Sequence, residues 1–255
     1  MDDLPIYIFK QGMQLPEGQY YLVCKDGIYI NKETKIGNGL IKVKNIPFLQ
    51  EADTSFNYTL PTLPSKILKQ AYTFFNKIYA LKKSECYLTM YYSETAGFRL
   101  HCPSQSVSHG SVQYNRNDQI PLEERKAEKY SMVGTIHSHC NFSAFHSGVD
   151  VDDEATFDGF HITIGHVDRK QFSLASSLAV NGNRMEVAPI DCIEGIAQLN
   201  QDNSNQESYH HRHRVDLFYQ FLEEHDKISQ KDVKMIEEEW IPKVTSEHFF
   251  TKNFQ

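Results

Sequence analysis

The sequence predicts an α+β fold: a mixed β-sheet flanked by helices, with a small β-rich module ahead of it and a helical extension behind. Three observations carry this reading. Short β-branched and aromatic runs, broken by glycines, fill residues 1–60. One amphipathic helical stretch follows. Apolar, strand-like segments then recur between residues 86 and 187 before helical spacing returns near the end. The implied organisation is residues 1–60 as the N-terminal module, 61–190 as the central domain, and 191–255 as a linker with C-terminal helices.

Ile6–Phe9, Gln19–Val23, Gly27–Ile30 and Gly39–Val43 read as strands of the first module, punctuated by Gly12, Gly18, Gly37 and Gly39. Pro61 and Pro64 close a linker, and Ser65 offers a helix N-cap. Ile67, Leu68, Ala71, Phe75, Ile78 and Tyr79 then recur at helical spacing to about residue 82. Cys86–Tyr92 and Phe98–Cys102 flank Ser93-Glu94-Thr95-Ala96-Gly97 as a hairpin. Residues 115–130 form a polar, charged insertion. Met132–Ile136 is an apolar strand running into His137, and further strands are expected at Phe160–Gly165, Phe172–Val180 and Arg184–Val187. Residues 200–214 turn polar and read as a linker. Two terminal helices are expected, one on the stripe Val215, Phe218 and Leu222. The other, on Val233, Ile236 and Trp240, opens at Ser229-x-x-Asp232 and stops at Pro242.

Composition narrows the partners. With 26 Lys and Arg against 33 Asp and Glu, the net charge is −7, which argues against nucleic acid, whose binding needs a cationic surface. No apolar run approaches the ~18 residues of a membrane span. The start Met1-Asp2-Asp3-Leu4-Pro5 lacks the basic region of a secretory signal. Five cysteines (Cys24, Cys86, Cys102, Cys140, Cys192) without CxxC spacing suit a reduced, cytoplasmic protein.

The chemistry concentrates in Gly134–Asp150. Side chains of a strand repeat with period two, so His137 and His139 share a face with Cα atoms roughly 6.5–7 Å apart. Asp150, eleven residues beyond His139, can return to the same point through a loop. Two histidines and one aspartate leave one position of a tetrahedral Zn²⁺ open, the pattern of a catalytic centre. His-x-His alone is expected by chance about 0.6 times in this composition; adding Ser147 and Asp150 at their spacings lowers that to about 0.002. Ser147-x-x-Asp150 is also the shape of a capping box, so the pair could serve a helix start as well.

His137-Ser138-His139, seven residues, Ser147, two residues and Asp150 together resemble the signature of the JAMM (MPN-plus, Mov34/PAD-type) zinc metalloproteases. The resemblance covers roughly residues 61–190 and implies a cytidine-deaminase-like α+β core. It implies His137, His139 and Asp150 as Zn²⁺ ligands, Ser147 as support for the tetrahedral intermediate, and an upstream Glu near a helix–strand junction as general base. Glu85 stands there, although the family window Glu-x-x-Gly-x-Leu-x-Gly reads Glu85-Cys86-Tyr87-Leu88-Thr89-Met90-Tyr91-Tyr92 here, without the two glycines. Glu94, in the expected turn, is the competing candidate. Cys140 stands where a Pro often follows the second His, with a packing role expected of it. The resemblance implies hydrolysis at the C-terminus of a ubiquitin-like modifier, from a peptide nitrogen or a lysine side chain. The N-terminal module and the run Gln105–Tyr114 look similar to bacterial members, which implies E1/E2-like partners. The alternative is a catalytically silent MPN-type scaffold that binds such partners. A nucleobase deaminase would need His-x-Glu and Pro-Cys-x-x-Cys, and neither occurs. Nothing orders Cys140 with a His and Asn as in a thiol protease.

Other polar groups read as background. His146, adjacent to Ser147, could line the cleft but is expected to face solvent, and His161 and His166 to be satisfied core or surface groups. His210-His211-x-His213 reads as linker, and Asp152, Asp153 and Glu154 as acids favoured by the dipole of the helix that Asp150 opens.

Overall fold

Alternation along the central strands gives the main sheet two faces of different chemistry, and the functional geometry follows from that difference. The computed structural model describes residues 4–53, 55–169, 171–196, 214–218 and 228–246. They fall into two compact units, Met1–Thr59 and Leu60–Gln255.

The first unit is a four-stranded sheet of β1 (Ile6–Ile8), β2 (Tyr20–Cys24), β3 (Gly27–Thr34) and β4 (Gly37–Val43), in that order, with β1 parallel to β2. Gly27 and Gly37 open β3 and β4 at φ +145° and +144°, backbone that favours glycine. Tyr20, Tyr21, Leu22 and Ile46 are buried within it.

The second unit begins with α1 (Ser65–Lys82), which buries Ile67, Leu68, Ala71, Phe74, Phe75 and Ile78 on one stripe. Ser65 is not its cap: Pro64 holds that position in extended backbone, and Ser65 is the first helical residue, because proline's fixed φ already suits a helix entry. Lys83 ends the helix in left-handed backbone at φ +55°.

The mixed sheet comprises β5 (Tyr87–Ser93), β6 (Gly97–His101), β9 (Ser131–Ser138), β10 (Gly159–Gly165), β11 (Gln171–Val180), β12 (Asn183–Val187) and β13 (Arg214–Phe218). Its order is β12-β11-β10-β9-β5-β6, with β13 sharing the edge of β11. Among its described strands β9 and β10 alone run parallel; the crossover between them carries the loop after His139 and α3 (Gly148–Glu154). A smaller sheet joins β7 (Gln105–Ser108), β8 (Ser111–Tyr114) and β14 (Val244–Ser246) in the order β14-β7-β8. Short helices α2 (Leu122–Ala127) and α4 (Pro189–Cys192) complete the connections.

One face of the mixed sheet is apolar. Leu88, Met90, Ile136, Phe160, Ile162, Phe172 and Leu174 are 0–1% exposed on it. Tyr72 of α1 meets Phe172 at 4.8 Å between ring centroids, so α1 covers this face. The opposite face is buried but polar: Thr135, His161 and Ser177 form one row across β9, β10 and β11, and His137, Thr163 and Ala175 the next. Buried polar groups favour partners, and most of these have them, although His161 Nε2 is buried without one. Thr135 Oγ1 lies 2.8 Å from His161 Nδ1, and Ser173 Oγ accepts the Ala144 N–H at 2.7 Å.

The C-terminal part departs from the expected pair of helices. Arg214, expected to close the linker, and Val215–Phe218, expected to open a helix, form a strand: their backbone pairs antiparallel with β11, Val215 opposite Leu174. A free sheet edge supplies ladder partners that override a short 215/218/222 stripe. Leu222 and residues 200–213, with His210, His211 and His213, lie outside the described residues. The last helix starts as expected at Ser229, whose hydroxyl accepts the Asp232 N–H, and runs as α5 (Gln230–Met235). A π-helical turn Ile236–Trp240 and a 3-10 turn Ile241–Lys243 follow it. Trp240 packs edge-on against Phe74 at 5.3 Å, and the chain then forms β14 rather than ending in a helix. Among the described residues, no helix is long and apolar enough to cross a membrane.

Candidate metal centre

His137 is the next-to-last residue of β9, placed on the polar face between Tyr87 of β5 and Thr163 of β10. His139 lies just past the strand, where its N–H still bonds the Ile164 carbonyl at 2.9 Å. The chain then turns sharply at Cys140, in left-handed backbone at φ +48°. The Cys140 thiol is buried and faces the His109 carbonyl at 3.5 Å, a packing position away from the ligand atoms. Hydrogen bonds from Val167 N to Cys140 O and from His166 N to Phe142 O pin the loop to the chain that follows β10. His166 also contacts the Asn141 carbonyl, so it serves this loop.

Asp150 arrives from the other side, in the first turn of α3. Ser147 is the N-cap, and the capping box is complete: Ser147 Oγ accepts the Asp150 N–H at 3.3 Å, and Asp150 Oδ2 accepts the Ser147 N–H at 2.7 Å. The capping-box reading of Ser147-x-x-Asp150 holds, and the bond that starts the helix also fixes the direction of the carboxylate.

The three donors converge. His137 Nε2 and His139 Nε2 are 3.2 Å apart, His139 Nε2 and Asp150 Oδ2 3.2 Å, and His137 Nε2 and Asp150 Oδ1 3.3 Å. A tetrahedral ion with bonds of ~2.0–2.1 Å needs donor edges of about 3.3–3.4 Å. The two imidazoles lie at that spacing and each faces a different oxygen of the Asp150 carboxylate, with one ligand atom of each residue within 4.8 Å of the others; two imidazoles with one carboxylate suit a borderline-soft divalent metal. These three residues form a group that could hold a metal ion.

Electrostatics agree. Burial disfavours charge on both partners, yet the hydrogen bonds from His137 and His139 hold the Asp150 carboxyl well below the ordinary carboxylate range. Burial likewise opposes a proton on His137, and the Asp150 carboxylate outweighs it and raises the imidazole above the usual histidine value.

Glu85 follows α1 and opens toward the same cleft, its N–H bonded to the Ser108 carbonyl at 3.0 Å. Burial pushes its carboxyl up to about 7, with His137 pulling down and Asp150 pushing up. Glu94 is exposed in the turn beyond Ser93, at the opposite end of β5 and roughly 20 Å from the Tyr87 end. The structure thus brings together His137, His139, Asp150, Ser147 and Glu85 around one cleft of about 360 Å³ and leaves Glu94 outside it.

Two expectations are corrected here. His146 is not at the surface; its side chain is 6% exposed, with Nδ1 2.7 Å from Glu154 Oε1. Glu154 is not a first-turn acid but the last residue of α3, buried, and also bonded by Ser177 Oγ at 2.8 Å and Arg184 Nε at 2.9 Å. Burial alone would raise its carboxyl, but the hydrogen bonds from His146 and Ser177 hold it at about 2. Burial lowers the His146 pKa, so a neutral imidazole donates its Nδ1–H to an ionised Glu154 balanced by Arg184.

The sequence reading also missed one wall of the cleft. Tyr87 stacks on Tyr114 of β8 at 4.0 Å, and the Tyr114 hydroxyl donates to Asp153 Oδ2 at 3.0 Å, with Arg116 paired to the same carboxylate. The alternation Val112–Tyr114 and the turn His109-Gly110 were the available signals for this hairpin. On the other rim, Phe142, Phe145 and Val149 are exposed, and Phe145 packs edge-on against His139 at 4.6 Å.

No protein-family model matches the chain, and no curated protein does. Among solved structures it is similar to the solution structure of protein DSY2949 from Desulfitobacterium hafniense. That likeness has 14% identity and a TM-score of 0.40, over 50% of this chain and 90% of that one.

Proposed function

We propose that the chain is a zinc metallopeptidase of the JAMM (MPN-plus) type, acting in the cytoplasm at the C-terminus of a ubiquitin-like modifier or its conjugates, beside E1/E2-like partners. The observation that carries this reading is the convergence of His137, His139 and Asp150 on one point, with the Glu85 carboxyl in the same cleft. The five cysteines are all free, as a reducing compartment requires.

His137, His139 and Asp150 would hold a zinc ion, which when bound would supply Lewis acidity to a carbonyl and to a nearby water. Glu85, with its carboxyl raised to about 7, has the affinity to take a proton from that water and return it to the departing amine nitrogen. The Ser147 hydroxyl accepts from the Asp150 N–H, which leaves its own proton to donate to the carbonyl oxygen as negative charge builds. Phe142, Phe145 and Val149 offer apolar surface to a polypeptide laid across the cleft.

Elemental mass spectrometry on wild type and on His137→Ala/His139→Ala, followed by cleavage of ubiquitin-like C-terminal fusions, tests this. The expected result is one zinc per wild-type chain, none in the variant, and cleavage lost in Glu85→Gln with zinc retained. A zinc-replete wild type without metal sinks the hydrolase reading. Metal without cleavage of any such fusion favours the silent scaffold.

A further inference from the structure

We propose that Glu154 is a positioning residue for the metal centre: it clamps the C-terminal end of α3 to β11 and β12 and so fixes the direction of Asp150. The proposal rests on the metal centre and not on the peptidase reaction.

Helix α3 has seven residues, two turns with little stability of their own. Its orientation must come from what holds its ends. The capping box at Ser147 ties the first turn only to its own neighbours in sequence. Nothing in that bond relates the helix to the sheet bearing His137. Asp153 ties α3 to Tyr114 and Arg116 at the β7–β8 hairpin, and Glu154 provides the direct relation to the mixed sheet. It follows Asp150 by four residues and lies on the same side of the helix. Its carboxylate takes bonds from Ser177 on β11, Arg184 on β12 and His146 in the preceding loop, which lie 23, 30 and 8 residues away in the chain. Charge-assisted bonds of 2.7–2.9 Å to a group 4% exposed are directional and strong.

The test uses the full chain, with cobalt(II) as a spectroscopic probe and zinc affinity measured against a competing chelator. The wild type is expected to give the intense visible absorption of tetrahedral cobalt. Glu154→Gln keeps the shape but loses the charge, and it is expected to bind zinc about 10–100-fold more weakly, with a diminished cobalt band. A merely structural role would lower the Tm of the metal-free protein and leave zinc affinity and the cobalt spectrum unchanged; that result overturns the proposal. Should Glu154→Gln fail to fold, Ser177→Ala removes one bond and leaves the Glu154–Arg184 pair intact. It must still weaken zinc severalfold, and unchanged affinity overturns the clamp. A wild type that binds neither metal overturns the metal centre and the clamp with it, whereas a metal-binding wild type matched by its variants overturns the clamp alone.

Discussion

Glu85 carries a cost that the metal-free protein should reveal. Its carboxyl ionises near the ordinary 4.5 in the unfolded chain and near about 7 in the folded one. Between those values the folded state holds the extra proton, so this group's contribution to stability falls as pH rises from 4.5 to 7. Below 4.5 both states are protonated and the penalty vanishes. Glu85→Gln is therefore expected to stabilise the metal-free protein by about 1–3 kcal/mol at pH 8 and to change little at pH 4. Denaturant unfolding at the two pH values checks this; equal effects at both would mean a solvated carboxyl. The legibility of single residues divided on the same lines. His137 and His139 were readable because period two is a local rule, and Asp150 because a loop of eleven residues can close. Glu154, and with it His146, was not, since the Glu154 partners Ser177 and Arg184 are brought to it only by the pairing of β10, β11 and β12.

Two elements put the ligands in place, and each has a test. The strands β9 and β10 approach closely at Gly134, where a Cβ would overlap the Phe160 carbonyl oxygen and crowd Met90. Gly134→Ala must therefore shift the pairing that carries His137, with an expected loss of roughly 3 kcal/mol or more, comparable to severe overpacking; thermal unfolding of the soluble fraction measures it. At α3, Ser147→Ala deletes the cap and is expected to cost about 1 kcal/mol in stability. Because Asp150 and Ser147 hold each other, the same change should weaken zinc binding, and a zinc titration unaffected by it would uncouple the cap from the ligand. Elements with a strong period were legible: α1 and the strands β5, β9, β10 and β11 fall close to where apolar spacing put them. The strand β13 was misread because Val215, Phe218 and Leu222 satisfy a helical stripe, while the edge of β11 that claims this backbone is more than thirty residues upstream in sequence. The hairpin β7–β8 was passed over because Ser, Gln and His dominate it, although it forms a wall of the cleft.

For the whole molecule, every donor and every strand of the mixed sheet belongs to Leu60–Gln255. Removal of residues 1–59 is accordingly expected to leave zinc affinity unchanged; a large loss on truncation would assign the first unit a part in the centre. Metal bound only by the folded chain stabilises it by mass action, about 2.7 kcal/mol at a free concentration a hundred times Kd. For a unit of this size that is roughly 5–10 °C in Tm, erased by chelator and absent from His137→Ala/His139→Ala in differential scanning calorimetry. The small sheet adds a consequence in time. Its outer strand β14 pairs with β7, and Thr245 Oγ1 donates to the Gln105 carbonyl across 140 residues of chain. At a synthesis rate of roughly 5–20 residues per second, β14 emerges roughly 7–28 s after β7. A nascent chain thus presents His137, His139 and Asp150 before the wall beside them is buttressed, and a ribosome that stalls short of Val244 releases a product with all its ligands and an unsupported cleft.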